Sequence, residues 1–245
     1  MSTAATSGAL EALPSTTRAP LQALKEGLER AVGPNLAALV VYGSAVRGGY
    51  VPDESDIDVI VVLEDTSLPQ LHKVAEPLMQ ARYGARVEAM ILKRDNLARA
   101  ADVFPLLYDD LRQRHQILSG TDVFAGLEIA DAHRRLRIEQ ELREARIRMR
   151  RAVVDALGSE STITGAVARK VKQIRSPLHA LLCLKGKECD DRLEPVLAAA
   201  GQQYGIDTSA LTRVAAQPEA AHTALRALLD AAIEDVDRLP DGARA

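Results

Sequence analysis

Two short apolar runs rich in β-branched residues, joined by a loop with three glycines, constrain the fold of this chain more than any other feature. The runs are Leu36–Tyr42 and Ile57–Leu63. Their length and their content of Val and Ile are typical of strands buried inside a sheet. The glycines of the loop, Gly43, Gly48 and Gly49, favour turns. We therefore expect two buried strands joined by a turn-rich loop.

The segments that flank these strands predict a small α/β domain. Apolar residues recur every three to four positions over Pro20–Val32 and over Leu68–Tyr83, which is the stripe of an amphipathic helix. Val87–Leu92 is a third candidate strand, and a further helix is expected over Leu106–Leu118. Strand, helix and strand in this order indicate an α/β (α+β) domain.

The character of the sequence changes after Asp131, where helical patterns replace the strand patterns. An arginine-rich helix comes first. Three further helical segments are expected, near residues 161–185, 190–203 and 207–238. Pro177 should kink or split the first of these three segments. Helices joined by short connections suggest an all-α bundle.

These patterns predict three parts of the 245-residue chain. They are a disordered leader over residues 1–18, an α/β domain over 19–128 and a helical bundle over 129–240. The leader is rich in Ser, Thr and Ala and has neither the basic start nor the apolar run of a secretory signal. Both apolar runs of the α/β domain are far shorter than the ~20 residues of a membrane helix. We therefore expect a cytoplasmic protein with no membrane partner.

The charge balance argues against a chain built for general binding to nucleic acid. Lys and Arg number 31 and Asp and Glu 34, a formal net charge of −3, so the whole chain has no attraction to a polyanion. Arginines are concentrated on the helix 134–151, but its acids allow i to i+4 pairs such as Glu139 with Arg143 and Glu144 with Arg148. A solvated or interdomain face is therefore favoured for this helix.

The residues on either side of the turn-rich loop point to phosphate and metal chemistry. A strand that ends in Gly43-Ser44 and opens into a helical turn directs backbone N–H groups and a hydroxyl toward a phosphate. Asp56 and Asp58 flank Ile57 at the start of the second strand. The two-residue period of a strand places both carboxylates on one face, about 6–7 Å apart. Paired carboxylates suit hard divalent cations, which prefer oxygen ligands.

Glu88 is the third candidate acid. It is the one charge in the apolar run Val87–Leu92, where a carboxylate is costly unless a cation or hydrogen bonds compensate it. Together with Asp56 and Asp58 it would form a set of three acids around two Mg²⁺ ions, an arrangement that stabilises in-line displacement of pyrophosphate. The alternative is an edge-strand acid that faces water or pairs with Arg86.

Gly43-Ser44, eleven residues and then Asp56-Ile57-Asp58-Val59 resemble the signature of the nucleotidyltransferase superfamily. This superfamily includes DNA polymerase beta, kanamycin nucleotidyltransferase, streptomycin adenylyltransferases and the minimal antitoxin-type nucleotidyltransferases. The resemblance covers roughly residues 20–128. It implies a mixed sheet with flanking helices and a Mg²⁺-bound NTP, with ATP as the favoured donor. It also implies transfer of a nucleoside monophosphate to an acceptor hydroxyl with loss of pyrophosphate.

The resemblance implies roles for individual residues as well. Gly43 and Ser44 would hold the triphosphate. Arg47 resembles the arginine of the Gly-Ser-x-x-Arg-Gly form found in minimal members, which suggests a contact with phosphate. Three acids would ligate two Mg²⁺ ions, namely Asp56, Asp58 and Glu88. The last of these acids would also help to activate the acceptor.

Three functions remain open from the sequence. The first is a Mg²⁺-dependent nucleotidyltransferase whose acceptor the sequence does not name, with a small molecule favoured over RNA or protein. An aminoglycoside-like acceptor is one option, because the antibiotic-modifying enzymes share this two-domain plan. The second is a non-catalytic nucleotide-binding or partner-binding module that retains the fold. The third is a nucleic-acid-modifying transferase, which requires the basic helix 134–151 to face the nucleotide. The oligomeric state is also open, with a homodimer through a spare apolar face of the bundle as one option.

Overall fold

The computed structural model describes residues 15–51 and 54–239. The chain divides into two compact units, Met1–Glu128 and Ile129–Ala245. The predicted leader lies outside the described residues as far as residue 14. The last four residues of that leader, 15–18, belong to α1 (Ser15–Val32), the first helix within the described part of the chain.

The first unit continues from α1 with four strands and four further helices. They are β1 (Leu36–Tyr42), α2 (Ser44–Arg47), β2 (Ile57–Leu63), α3 (Leu68–Ala85), β3 (Val87–Lys93), α4 (Leu97–Val103), α5 (Pro105–Gln113) and β4 (Gln116–Gly120). The strands form one sheet in the order β3-β2-β1-β4. β2 and β3 are parallel, whereas β1 is antiparallel to both β2 and β4. The predicted mixed sheet with flanking helices is therefore confirmed.

Both faces of the two central strands are buried. One face packs against α1 and α3 and includes Leu39, Val41, Val59 and Val61. The other face includes Ala38, Val40, Ile60 and Val62, which have no exposed surface. Burial on both faces explains why β1 and β2 are continuous apolar runs instead of alternating ones. A charged residue on β2 is therefore exceptional, and Asp58 is the one that occurs there.

One predicted helix, over Leu106–Leu118, is wrong at its C-terminal end. The helix α5 stops at Gln113 because Arg114 has an extended backbone, and the next residues form β4. Gly120 closes this strand with φ +82°, and a Cβ there would lie 2.1 Å from the carbonyl oxygen of Ala37. This close approach to the start of β1 is possible only for glycine.

The second unit is helical throughout its regular structure, as expected. Its α-helices are α6 (Asp131–Asp155), α7 (Glu160–Gln173), α8 (Arg175–Leu184), α9 (Leu193–Tyr204) and α10 (Pro218–Asp237). The segment expected near 207–238 is α-helical only from Pro218 onward, and before it the chain forms a short 3-10 turn, Ser209–Thr212. The predicted split near Pro177 is confirmed, because the chain breaks at Ile174 between α7 and α8. Pro177 lies in the first turn of α8, where its missing N–H group has no helical acceptor to lose.

The arginine-rich helix α6 combines an apolar face with a dense set of ion pairs. Its buried residues are Ile138, Leu142, Ala145 and Met149. The predicted pair of Glu139 with Arg143 is present at 2.8 Å, and the pair of Glu144 with Arg148 is also present. Many of these arginines are therefore explained by pairing along the helix. Within the part of the chain that the structure describes, no helix is long and apolar enough to cross a membrane.

Candidate active site

The end of β1 is a single helical turn built on a glycine in an unusual conformation. Gly43 has φ +73° and ψ −147°, a region open only to glycine. Its carbonyl oxygen accepts hydrogen bonds from the N–H groups of Val46 and Arg47. The N–H groups ahead of these donors belong to Ser44 and Ala45, and in a helical turn such groups have no acceptor within the turn. Because α2 has four residues, these N–H groups, rather than any helix dipole, are what the turn offers to an anion.

Strand register brings the predicted acids to this turn. Asp58 on β2 is the Cα partner of Tyr42 on β1 and of Glu88 on β3. Directly paired residues of neighbouring strands point to the same face of a sheet, so these three side chains share one face. Gly43 follows directly, and a Cβ added to it would lie 2.3 Å from Oδ2 of Asp58. The predicted phosphate-binding turn and the predicted acid therefore touch.

The Asp58 carboxylate is destabilised in its charged form. Burial raises the pKa of Asp58 from 3.8 to about 6, and the nearby carboxylates of Asp56 and Glu88 add to the increase, whereas Arg47 opposes it. Burial and Asp58 also raise the pKa of Tyr42 to about 12. A divalent cation would relieve this crowding of negative charge.

Two of the three acids are engaged by arginines of the α3 region. Oδ1 of Asp56 accepts from Nε of Arg86 at 3.0 Å, and Nη2 of the same guanidinium is 2.9 Å away. Oε1 of Glu88 lies 3.2 Å from Nη2 of Arg82. The alternative expectation for Glu88 is confirmed in part, because β3 is an edge strand and Glu88 is exposed on it. A carboxylate exposed to water needs no compensating cation, so the cost expected from the apolar run does not arise. The pairing with Arg86 is wrong in its partner, since Arg86 pairs with Asp56. All four side chains are about half exposed, so these pairs are weak and exchangeable.

Arg47, the predicted phosphate contact, is joined to a residue that the sequence analysis did not single out. Its Nη1 donates to Oδ2 of Asp110 on α5 at 3.0 Å, and both side chains are largely buried. The two residues are 63 positions apart. No motif or spacing in the sequence connects them.

The donor set suits Mg²⁺ in its chemistry but is not assembled as a metal site in this arrangement of side chains. Asp56 and Asp58 supply the carboxylate oxygens that Mg²⁺ prefers, and their mutual repulsion favours a bound cation. Among the described residues, no group of three or more His, Cys, Asp or Glu side chains could hold a metal ion. The two aspartates therefore fit the ion, while Glu88 remains on Arg82.

A mixed sheet that carries a Gly-Ser turn against an aspartate of the next strand defines a nucleotidyltransferase-type domain. The chain belongs to this family, since the family model described as "Nucleotidyltransferase domain" matches residues 21–148. Among solved structures, the chain is similar to spectinomycin adenyltransferase AAD(9) from Enterococcus faecialis, determined with ATP and spectinomycin. The TM-score is 0.55 at 12% sequence identity, over 90% of this chain and 99% of that one. This similarity concerns the fold alone. No curated protein sequence matches the chain.

Proposed function

We propose that this protein is a Mg²⁺-dependent nucleotidyltransferase that moves AMP from ATP to a hydroxyl group of a small molecule and releases pyrophosphate. The observation that carries the proposal is the contact between Gly43 and Asp58. It brings a turn with backbone N–H donors against a partly buried carboxylate, which is what a metal-bound triphosphate requires. Family membership supports the reaction class.

The residues of the site divide between the two ends of this reaction. Gly43, Ser44 and Arg47 would bind the triphosphate, because backbone N–H groups and a guanidinium both match phosphate oxygens. Asp56 and Asp58 would hold Mg²⁺, which when bound neutralises charge on the phosphates and the leaving pyrophosphate.

The third acidic position would serve the acceptor. Glu88 shares a face with Asp58, and its carboxylate would complete the metal ligands and accept the proton of the acceptor hydroxyl. That role requires Glu88 to leave Arg82, which a half-exposed ion pair permits at small cost.

The proposal of a small-molecule acceptor rests on the fold. The similar solved structure is that of an adenyltransferase bound to ATP and spectinomycin, and the likeness extends over 90% of this chain, helical part included. A hydroxyl-rich compound of the aminoglycoside or aminocyclitol class is therefore the acceptor to test first. RNA and protein acceptors come second.

Calorimetric titration with α,β-methylene ATP, with and without Mg²⁺, tests the proposed donor site. Binding to the wild type should require Mg²⁺ and should disappear in the Asp56→Asn, Asp58→Asn double variant. Pyrophosphate release would then be measured with ATP and a panel containing spectinomycin, streptomycin and kanamycin. A folded wild type that binds neither the ATP analogue nor GTP, CTP or UTP would refute the proposal.

A second candidate function is a non-catalytic module that binds a nucleotide or a partner. The ion pairs of Asp56 with Arg86 and of Glu88 with Arg82 favour it, because they occupy two of the three acids. Such a module would bind ATP with Mg²⁺ and release no pyrophosphate with any acceptor of the panel. Turnover with one acceptor would eliminate it.

A further inference from the structure

The ion pair of Arg47 and Asp110 is the least exposed one that the structure records around the Gly-Ser turn. The exposed fractions of the two side chains are 15% and 16%, against about half for the pairs of Asp56 and Glu88. A charge pair withdrawn from water to this extent costs desolvation and is a poor source of stability. A role beyond stability is therefore the more economical explanation.

Asp110 is held by a rigid element. It lies on α5, where Leu106, Tyr108 and Leu111 are buried. The ring of Tyr108 contacts that of Phe124 edge to face, with centroids 6.2 Å apart. The ring of His115, directly after α5, contacts the same Phe124 at 5.7 Å. The carboxylate of Asp110 is consequently presented from a fixed base.

Arg47, the other member of the pair, is the last residue of α2. Its N–H group donates to the carbonyl oxygen of Gly43, so its backbone is part of the Gly-Ser turn. The guanidinium is thus carried by the turn that the proposed nucleotide site contains, and its Nη1 is held 3.0 Å from Oδ2 of Asp110.

We propose that Asp110 is a positioning residue, which holds the Arg47 guanidinium at the Gly43-Ser44 turn in the orientation that receives a triphosphate. The inference rests on the proposed function. A guanidinium has its N–H donors in a rigid fork, so a carboxylate on one edge fixes the direction of the other. Nucleotide affinity then depends on Asp110 through Arg47.

A double-mutant cycle tests this dependence directly. The affinity for Mg²⁺ and α,β-methylene ATP would be measured by calorimetry for the wild type, Asp110→Asn, Arg47→Gln and the double variant. Asp110→Asn should weaken binding about 10-fold, the scale on which the loss of an outer supporting group acts. Arg47→Gln should weaken binding at least as much. The double variant should be no weaker than Arg47→Gln alone, because the two residues act as a unit.

A neighbouring carboxylate supplies the matched control. Asp109→Asn removes the same charge from the same helix and should leave nucleotide affinity within about 2-fold of the wild type. Thermal unfolding of every variant verifies that binding is measured on folded protein. If Asp110→Asn does not fold, Asp110→Glu keeps the charge but displaces it by one methylene, and it should weaken binding in the same Arg47-dependent way.

Three outcomes would overturn the inference. Unchanged or tighter binding by Asp110→Asn would show that the pair does not orient Arg47 for the nucleotide. Additive losses in the double variant would show that Asp110 acts independently of Arg47. Equal losses in Asp109→Asn would reduce the effect to general electrostatics. A wild type that binds no nucleotide refutes the proposed function, and this inference with it, whereas normal wild-type binding with any of the three outcomes refutes only the role of Asp110.

Discussion

Gly43 and Asp58 are so close that a Cβ on Gly43 would lie 2.3 Å from Oδ2 of Asp58. The same glycine has φ +73° and ψ −147°, where other residues are strained. We therefore expect Gly43→Ala to lower the free energy of unfolding by about 3 kcal/mol, combining backbone strain with displacement of the carboxylate. It should also abolish Mg²⁺-dependent nucleotide binding. Chemical denaturation and calorimetry measure the two effects.

Gly48 provides the matched control for Gly43. It has φ +85°, and nothing lies within 4 Å of a Cβ built there. Gly48→Ala should therefore lower the free energy of unfolding by only about 1 kcal/mol, the strain of a left-handed backbone at alanine. It should retain nucleotide binding. Equal losses of stability in the two variants would contradict the argument that contact with Asp58 requires glycine at position 43.

Asp58 predicts a pH dependence of stability in protein freed of metal by EDTA. Its pKa is raised from 3.8 to about 6, so the folded state holds the proton more tightly than the unfolded state does. Its contribution to stability is complete below about pH 4 and is lost as the pH rises through 6. Asp58→Asn should thus be more stable than the wild type at pH 8 by ~1–2 kcal/mol, after allowance for solvent screening. The free energies of unfolding of the two proteins should converge at pH 4, and chemical denaturation curves at pH 4 and pH 8 measure this difference.

The strands of the sheet differ in how far the sequence predicts them. β1 and β2 are apolar runs whose patterns are local, and the expected bounds agree with the structure. The sequence pattern predicts a helix through β4, because Ile117 and Leu118 continue the apolar stripe of α5. Its conformation depends on pairing with β1, where Leu39 faces Ser119 and Val40 faces Ile117. Such a partner is distant along the chain and leaves no periodic signal.

The residues of the candidate site also differ in how far the sequence predicts them, because some belong to one local motif and others depend on partners distant along the chain. The spacing of Gly43, Asp56 and Asp58 is contained in one loop and two strand ends, so a motif could identify these residues. The partner of Arg47 could not be identified in this way, since Asp110 reaches it from a separate helix 63 residues later. The ion pair of Asp56 with Arg86 depends on the backbone of Arg86, which follows the last residue of α3 and is left-handed with φ +54°. No sequence pattern specifies that side-chain direction.

A buried polar cluster in the second unit should contribute to its stability. Asp235 accepts from Nζ of Lys185 at 2.6 and 2.7 Å and from the hydroxyl of Tyr204 at 2.9 Å. Burial and this carboxylate raise the pKa of Tyr204 above its usual range. Asp235→Ala leaves both partners without an acceptor and should cost ~2–3 kcal/mol. Asp237→Ala removes a half-exposed acid that pairs with Arg143 and should cost under about 1 kcal/mol, as measured by urea denaturation.

The arginines that engage the acids predict how the site takes up a cation. Mn²⁺ binding, followed by electron paramagnetic resonance of the free ion, should strengthen about 3-fold in Arg86→Gln, because the cation no longer displaces a half-exposed guanidinium from Asp56. Asp56→Asn should lose most of the binding.

Arg82→Gln tests whether Glu88 also binds the cation, and the result separates the two candidate functions. If Glu88 is a third ligand, releasing it from Arg82 should strengthen Mn²⁺ binding to a similar degree, since that pair is also half exposed. If Glu88 takes no part in cation binding, Arg82→Gln should bind Mn²⁺ as the wild type does, which favours the non-catalytic module.

Weaker Mn²⁺ binding in Arg86→Gln would contradict the argument that Arg86 competes with the cation for Asp56. It would mean that Arg86 supports the cation site and does not occupy it.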